Sequence, residues 1–360
     1  MKKIIFLANC NSPHLDRWVD LLDMLNIEVE IWSVHNCKNN KKRKKVIPDA
    51  LGFLPVIFQY ILAGVLLRFR NVEGVFHAHN TSGYGLMAFL SGKEYIITTY
   101  GSEIYSTNKK NILYRSLLKK ILDKSLLITS TSKEMKNCLE KEFSIHSEKI
   151  RNFSLGLDTD LFYPKKRVDK KTKVWIINRR MHPHYNTLET INGFINYINN
   201  GNLGKLIVIL GDYDHNYYEK IKSLFDFEKY KKNIQIIDKF LDRKDLSSFL
   251  QISNFSISTP LTDQLSSSIL ESIACGAVPI LFNLNSYEEI ITNQSCIVMK
   301  HRTTEAFEEI FLKTSKMKTE QVSKIAIKGV QYIIENESSK SVLPKVNSLY
   351  RGLLCPSGKN

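Results

Sequence analysis

The stretch from Thr259 to Pro279, TPLTDQLSSSILESIACGAVP, constrains the fold more than any other part of this chain. A strand, NFSIST, runs up to it over Asn254–Thr259, and Pro260 closes that strand. Asp263 follows in a loop. Ser266, Ser267 and Ser268 are successive helix N-cap candidates ahead of the apolar-periodic Ile269, Leu270, Ile273 and Ala274. Gly276 marks the helix end, and Val278, Pro279, Ile280 and Leu281 open the next strand. Free amides at a helix start, backed by the helix dipole, favour an anion by about 0.3–2 kcal/mol per charge. Asp263 and Glu271 bracket that anion site, placed to accept hydrogen bonds from sugar and ribose hydroxyls while the amides hold a diphosphate. Taken alone, the same string also fits a polar N-cap and a solvated Glu on an ordinary helix.

A chain of 360 residues suggests two domains, each able to bury its own core, and β/α alternation runs through both. The six cysteines, Cys10, Cys37, Cys138, Cys275, Cys296 and Cys355, contain no C-x-x-C pair. They predict reduced thiols in a cytoplasm, with neither a zinc site nor a disulfide frame. The N-terminus is basic and then apolar, but its apolar run is only Ile4 to Ala8 and no A-x-A site follows. It reads as a first strand rather than a signal peptide. A net charge of +15 suits nucleotide phosphates, an anionic membrane or nucleic acid. No RNA-binding motif or recognition-helix pattern is present, which argues against nucleic acid.

Lys3 to Ala8 has the unbroken apolar character of a buried parallel strand. The β-α-β start that follows has no G-x-G-x-x-G, which argues against a dinucleotide dehydrogenase. Asn39 to Lys45 is a basic loop, and Lys41 to Lys45 is a cationic run able to meet anionic lipid. Ala50 to Leu67 is almost wholly apolar, yet slightly short for a membrane span and interrupted by Pro55, Gln59 and Gly64. It predicts a buried or interface-facing helix. His77 and His79 lie two apart on one strand face, with no third metal ligand evident. Asn111 to Lys124 is an amphipathic helix with a cationic face, a second membrane-docking candidate.

Several of these segments resemble retaining GT-B glycosyltransferases, those of family 4 in particular. Asp263, Glu271, Ala274, Cys275, Gly276 and Pro279 follow the family's acid-x7-Glu signature, with Asp for the usual first Glu and Gln264-Leu265-Ser266 for Gly-aromatic-Gly. TTYGSEIY, Thr98 to Tyr105, is similar to its T-x-G-[ST]-[DE] loop, with Tyr100 where many relatives carry His. Gly156, Leu157, Asp158, Phe162 and Pro164 match N-G-[VL]-D-x-x-x-F-x-P. Arg179 to Asn186 resembles the Arg…Lys diphosphate clamp, with Arg180 aligned to the clamp Arg and Tyr185 in place of the Lys.

The resemblance implies a GT-B fold: two Rossmann-like α/β domains with a cleft between them. The N-terminal acceptor domain would span 1–165 and the nucleotide-sugar domain 166–335, with 336–360 a helix crossing back to the first domain. It implies a retaining, metal-independent glycosyltransferase of hexosyltransferase type, without a cofactor. A sugar would pass from a nucleotide-sugar to a glycan or lipid-linked acceptor in bacterial surface polysaccharide or lipopolysaccharide synthesis. Asp263 and Glu271 would be catalytic. Arg179, Arg180, His184, Gly211, Lys239, Leu265, Ser266, Ser267, Ser268 and Glu271 would contact the donor. His14, Arg17, His79, Tyr100, Gly101, Ser102 and Glu103 would lie on the acceptor side. The expected place is the cytoplasm, at the inner face of the plasma membrane. Two rivals stay open: a sugar-nucleotide epimerase or phosphorylase on the same fold, and a non-catalytic nucleotide-binding partner.

Overall fold

The computed structural model describes residues 3–37, 43–105, 111–165, 172–239 and 241–354, with the side chains of Pro13 and Ser102 outside that set. Most of the basic loop over 39–45 and of the charged linker over 165–173 also lies outside the described residues. The chain forms two units, Met1–Gly156 with Ser339–Asn360, and Leu157–Ser338. The first division falls at Gly156 rather than at 165. Leu157 and Phe162 are buried in the core of the second unit, which takes the LDTDLF segment with them. Gly156 itself turns at φ +69°, with the position of a Cβ 2.9 Å from Ser339 Cα.

The strands of the first unit are β1 (Lys3–Leu7), β2 (Val29–Ser33), β3 (Arg43–Lys45), β4 (Gly74–His79), β5 (Tyr95–Thr98), β6 (Ile128–Ser130) and β7 (Ile150–Asn152). All pair in parallel, in the order β3-β2-β1-β4-β5-β6-β7. The helices are α1 (Pro13–Met24), α2 (Val56–Phe69), α3 (Tyr84–Ser91), α4 (Ser102–Tyr105), α5 (Ile112–Lys124) and α6 (Lys133–Phe143). Along β1, Ile5 and Leu7 enter the core beneath α2, α3, α5 and α6, while Ile4 and Phe6 enter the core shared with α1. A sheet covered on both faces needs apolar residues at every position, which is why β1 shows no alternation. Side-chain caps start two helices: the Asn111 amide oxygen accepts from Leu113 N, and Ser132 Oγ from Met135 N.

The second unit has β8 (Lys173–Ile177), β9 (Gly204–Ile209), β10 (Ile234–Ile237), β11 (Phe255–Ser258), β12 (Val278–Phe282) and β13 (Ile297–Met299), all parallel, in the order β10-β9-β8-β11-β12-β13. Its helices are α7 (Thr187–Asn199), α8 (His215–Leu224), α9 (Arg243–Ile252), α10 (Ser267–Ala274), α11 (Glu288–Thr292), α12 (Thr304–Ser315) and α13 (Thr319–Tyr332). A π-helical turn, Ile333–Glu337, leads into α14 (Ser339–Leu354), which belongs to the first unit. Val342, Val346, Leu349 and Tyr350 of α14 are buried among Trp18 and Leu22 of α1.

A disulfide overturns one expectation from the sequence, and the burial of α2 narrows another. Cys10 and Cys37 form a disulfide, with Cα atoms 5.6 Å apart. They follow the ends of the paired strands β1 and β2, so the fold joins two thiols 27 residues apart that no local spacing pattern connects. The apolar run over 50–67 is not buried throughout. Helix α2 begins only at Val56 and buries Ala63, Gly64 and Leu67, while Ile57, Phe58, Ile61, Val65 and Phe69 are exposed. No helix among the described residues is long and apolar enough to cross a membrane.

Candidate functional site

Strand order reverses once in each sheet. In the second unit β8, β9 and β10 step outward to one side, and β11 then pairs with β8 on the other. Loops leaving the carboxyl ends of β8 and β11 therefore diverge, and such a switch point is where open α/β sheets bind ligands. The Arg179-Arg180 pair follows β8, and the loop leading to α10 follows β11.

That loop is held residue by residue. Asn186 Nδ2 donates to the Thr259 carbonyl and Arg302 to the Pro260 carbonyl, 2.8 Å away for the latter. Leu261 N donates to His184 O at 3.0 Å, and the His184 Nε2–H donates to the Thr262 carbonyl at 2.6 Å. Arg179 pairs with Asp263 at 2.9 Å, with side chains only 7% and 15% exposed. The Tyr287 hydroxyl donates to the same Asp263 oxygen at 2.7 Å. Burial pushes the Asp263 carboxyl up from its ordinary range, and Arg179 opposes that rise. The other arm of Arg179 donates to Ser266 Oγ and, at 3.0 Å, to Ser268 Oγ. Its guanidinium lies 4.5 Å from the Tyr185 ring centre.

Ser266 is the N-cap of α10, but its hydroxyl serves Arg179 and Ser268 instead of the helix amides. The first-turn amides at Ser267 and Ser268 lack intrahelical acceptors by the geometry of any helix start. Asn178, at the end of β8, donates to Ser268 O and Ser272 Oγ at 3.0 and 3.1 Å, fastening α10 to the sheet. The helix ends as its glycine predicts: Gly276 has φ +79°, Ala277 N bonds Ser272 O and Gly276 N bonds Ile273 O.

The structure thus gathers Arg179, His184, Asp263 and Ser266–Ser268 at one turn. Leu265 and Glu271 lie on the same loop and helix, whereas Arg180, Gly211 and Lys239 do not join the cluster. Arg180, expected as the clamp, is exposed and pairs with Asp212 at 3.2 Å; successive residues leaving a strand point opposite ways, and Arg179 is the one turned toward α10. Lys239 is exposed and lies 3.6 Å from Asp245. Gly211 ends the β9 segment at φ +64°, and Leu265 packs partly buried against the α10 core. Glu271 is 7% exposed on the buried side of α10 rather than a solvated Glu. Tyr287, Asn186 and Arg302 were not singled out from sequence. They come from other β/α connections, and only the fold brings them to the loop.

In the first unit the reversal falls between β1 and β4. There His14 from α1, His79 from the end of β4, and Tyr100 and Glu103 after β5 converge. The His14 ring stacks on Tyr100 at 5.2 Å, and His79 Nδ1 shares a 2.7 Å hydrogen bond with the Tyr100 hydroxyl. Tyr100 N donates to Glu103 Oε1 at 2.7 Å. The carbonyl of Gly101 accepts from Ile104 N and Tyr105 N at the start of α4; the side chain of Ser102 lies outside the described residues. Burial holds His79 down at about 3 and pushes Tyr100 and Glu103 up. His14 presents an exposed edge, yet crowding around its stacked face, and then the charge of Arg17, lowers its pKa. His79 Nε2 is buried without a hydrogen-bond partner among the described residues. His77 faces inward instead, between the Tyr350 hydroxyl of α14 at 2.6 Å and Thr98 Oγ1 at 2.7 Å.

Two family models match along the chain: "Glycosyl transferase 4-like" over residues 3–132 and "Glycosyl transferases group 1" over residues 163–334. With its two parallel-sheet Rossmann-like units, the chain is a glycosyltransferase of the GT-B class, built from a 4-like and a group 1 domain. Among solved structures it resembles sucrose-phosphate synthase of Thermosynechococcus elongatus, with a TM-score of 0.80, 12% identity, and 99% of this chain and 100% of that one covered. A glycosyltransferase of Rickettsia africae gives 0.75 at 17% identity, with 99% and 100% covered. Anabaena HepE, solved with UDP and glucose, gives 0.76 at 11%, with 98% and 100% covered. These likenesses speak for the fold. No curated protein sequence matches the chain.

Proposed function

We propose that the protein transfers a sugar, with retention, from a nucleotide-sugar to a glycan or lipid-linked acceptor in bacterial surface polysaccharide or lipopolysaccharide assembly. The observation that carries this reading is the turn where Arg179, Ser266 and Ser268 meet the start of α10 at a switch point. A diphosphate entering there would take over the donors that Arg179 now gives to the two serines, together with the free amides of α10. In the transfer, the bond from the sugar C1 to the leaving phosphate oxygen breaks and a bond from C1 to the acceptor oxygen forms on the same face. The acceptor proton passes to the leaving diphosphate. Arg179 and the amides stabilise the charge that grows on that group, so the reaction needs no metal. Asp263 would orient the donor sugar and Glu271 would hold ribose hydroxyls. His14, His79, Tyr100 and Glu103 would receive the acceptor. Cytoplasmic work at the inner face of the membrane follows from a lipid-linked acceptor and a basic surface.

UDP-glucose is the first donor to try, because the Anabaena neighbour is described with it. Calorimetry with UDP and UDP-glucose, then turnover over a panel of sugar nucleotides with EDTA present, tests the reading. Binding that Arg179→Ala weakens more than tenfold, followed by EDTA-insensitive turnover, supports it; no binding of any nucleotide sugar removes it. One observation favours a second reading. Asp263 is already committed to Arg179 and Tyr287, as suits a partner protein that binds nucleotide without chemistry. Binding without turnover over the whole panel selects that alternative.

A further inference from the structure

The charge of this chain is not shared between its units. Met1–Gly156 with Ser339–Asn360 holds 27 Lys and Arg against 14 Asp and Glu, net +13; Leu157–Ser338 holds 24 against 22, net +2. The strongly basic unit also carries an uncovered apolar face. Helix α2 packs on α3 along a narrow seam: a Cβ on Gly64 would lie 2.8 Å from both Met87 O and Leu90 Cβ, so the two backbones are nearly in contact. The exposed side of the helix presents Ile57, Ile61 and Val65 at four-residue spacing, 46%, 39% and 42% exposed, with Phe58 beside them and Phe53 and Phe69 at the two ends. Arg68 and Arg70 are exposed where this stripe ends. A contiguous exposed stripe of large apolar side chains on a helix marks an interaction surface.

Topology places the stripe. In a parallel sheet each crossover helix starts at the carboxyl edge of the strands. The starts of α2 and α5 therefore share the edge that holds His79 and Tyr100. At the start of α5, Ile112 and Leu113 are 80% and 74% exposed, and Lys120 and Lys124 are exposed further along. Apolar side chains and basic residues thus border the acceptor-side cluster on the helices of one sheet face.

We propose that the exposed face of α2, with the start of α5, inserts into the surface of an anionic bilayer and sets the acceptor-side cluster at the level of lipid headgroups. A bilayer fits better than a protein partner because it complements both features at once, apolar side chains by the acyl boundary and a +13 unit by headgroup charge. The basic loop and α5 alone would give adsorption; α2 adds burial of side chains. The proposal rests on the reading of a lipid-linked acceptor for its purpose, but its test needs neither donor nor acceptor, so the two can fail separately.

The full chain is sedimented with vesicles of 70% phosphatidylcholine and 30% phosphatidylglycerol, and with phosphatidylcholine alone, at low and at high salt. Ile57→Ser/Ile61→Ser/Val65→Ser changes exposed positions, and circular dichroism and melting verify its fold. A Phe58→Trp variant reports depth through quenching by brominated lipid, read against the wild-type chain. The expected result is anionic-vesicle binding that the triple variant weakens at least tenfold, with quenching of the indole that Phe58→Trp introduces. Equal binding by the triple variant, or an unquenched introduced indole on bound protein, overturns the proposal. So does a solution dimer that the triple variant dissociates while vesicle binding stays unchanged.

Discussion

Asp263 and Arg179 meet at 2.9 Å with both side chains largely shielded from water. One partner follows β11 and the other follows β8, so the pair ties together the two loops that diverge at the switch point. Removing Arg179 leaves a buried carboxylate with two uncharged donors, the Tyr287 hydroxyl and the Gln264 backbone amide. Arg179→Ala is expected to cost about 3–5 kcal/mol of stability and to weaken nucleotide binding more than tenfold. Arg180→Ala, at an exposed position beside Asp212, should leave both within a few-fold. Urea unfolding and calorimetry on the two variants check this; equal losses would show that the adjacent arginines act alike.

Tyr185 stands where the pattern this chain resembles has a lysine, and its ring lies beneath the Arg179 guanidinium. The tyrosine supplies no charge to a ligand, but it holds Arg179, the residue proposed to do so. Such a contact is worth about 0.5–2 kcal/mol. Tyr185→Ala should therefore weaken UDP binding by several-fold with little change in melting temperature, whereas Tyr185→Phe keeps the ring and should bind as the wild type does.

The buried histidines of the first unit set an acid limit. His79 is held at about 3 and His77 well below its ordinary value, both by burial, so the native state favours neutral rings and binds fewer protons than the unfolded chain. That stability is complete above about pH 6.5 and is lost as pH falls toward 3, with a limiting slope of about 1.4 kcal/mol per pH unit for each ring. Glu103, raised by burial, acts in the opposite sense. The urea midpoint should fall between pH 7 and pH 5. His79→Gln should flatten that fall and Glu103→Gln should steepen it.

Gly193 lies where α7 crosses α12. A Cβ there would come within 2.6 Å of Phe307 Cβ and 2.7 Å of Thr304 O. Gly193→Ala gains helix propensity but forces two packed helices apart, and overpacking of this kind costs about 1–3 kcal/mol. The melting temperature should drop, although in an exposed helix the same change would raise it.

How far the sequence foretold this arrangement depends on the range of the interaction. The strand-loop-helix-turn around α10 was readable because its signals are local: Pro260, the serine run, and Gly276 in its left-handed turn. The loops after β8 and β11 that the resemblance singles out do meet. The resemblance aligned Arg180 with the clamp, whereas Arg179 is the one turned inward, because that depends on how the chain leaves β8. Nor could spacing join Cys10 to Cys37 or Tyr287 to Asp263, contacts that exist only once strands are ordered in a sheet. The apolar run before β4 was read as helix correctly, but its composition is nearly uniform around the helix and says nothing of which side stays uncovered.

Helix α14 gives the molecule an order of assembly. The core around Trp18 is completed by Val342, Val346 and Tyr350, and His77 finds its Nδ1 partner only in Tyr350. On the ribosome the segment made first must wait, its inner face unfilled, while the continuous stretch from Leu157 to Ser338 emerges and can close by itself. A released chain that ends before residue 342 should therefore yield a protease-resistant second unit attached to a first unit that proteases still cut.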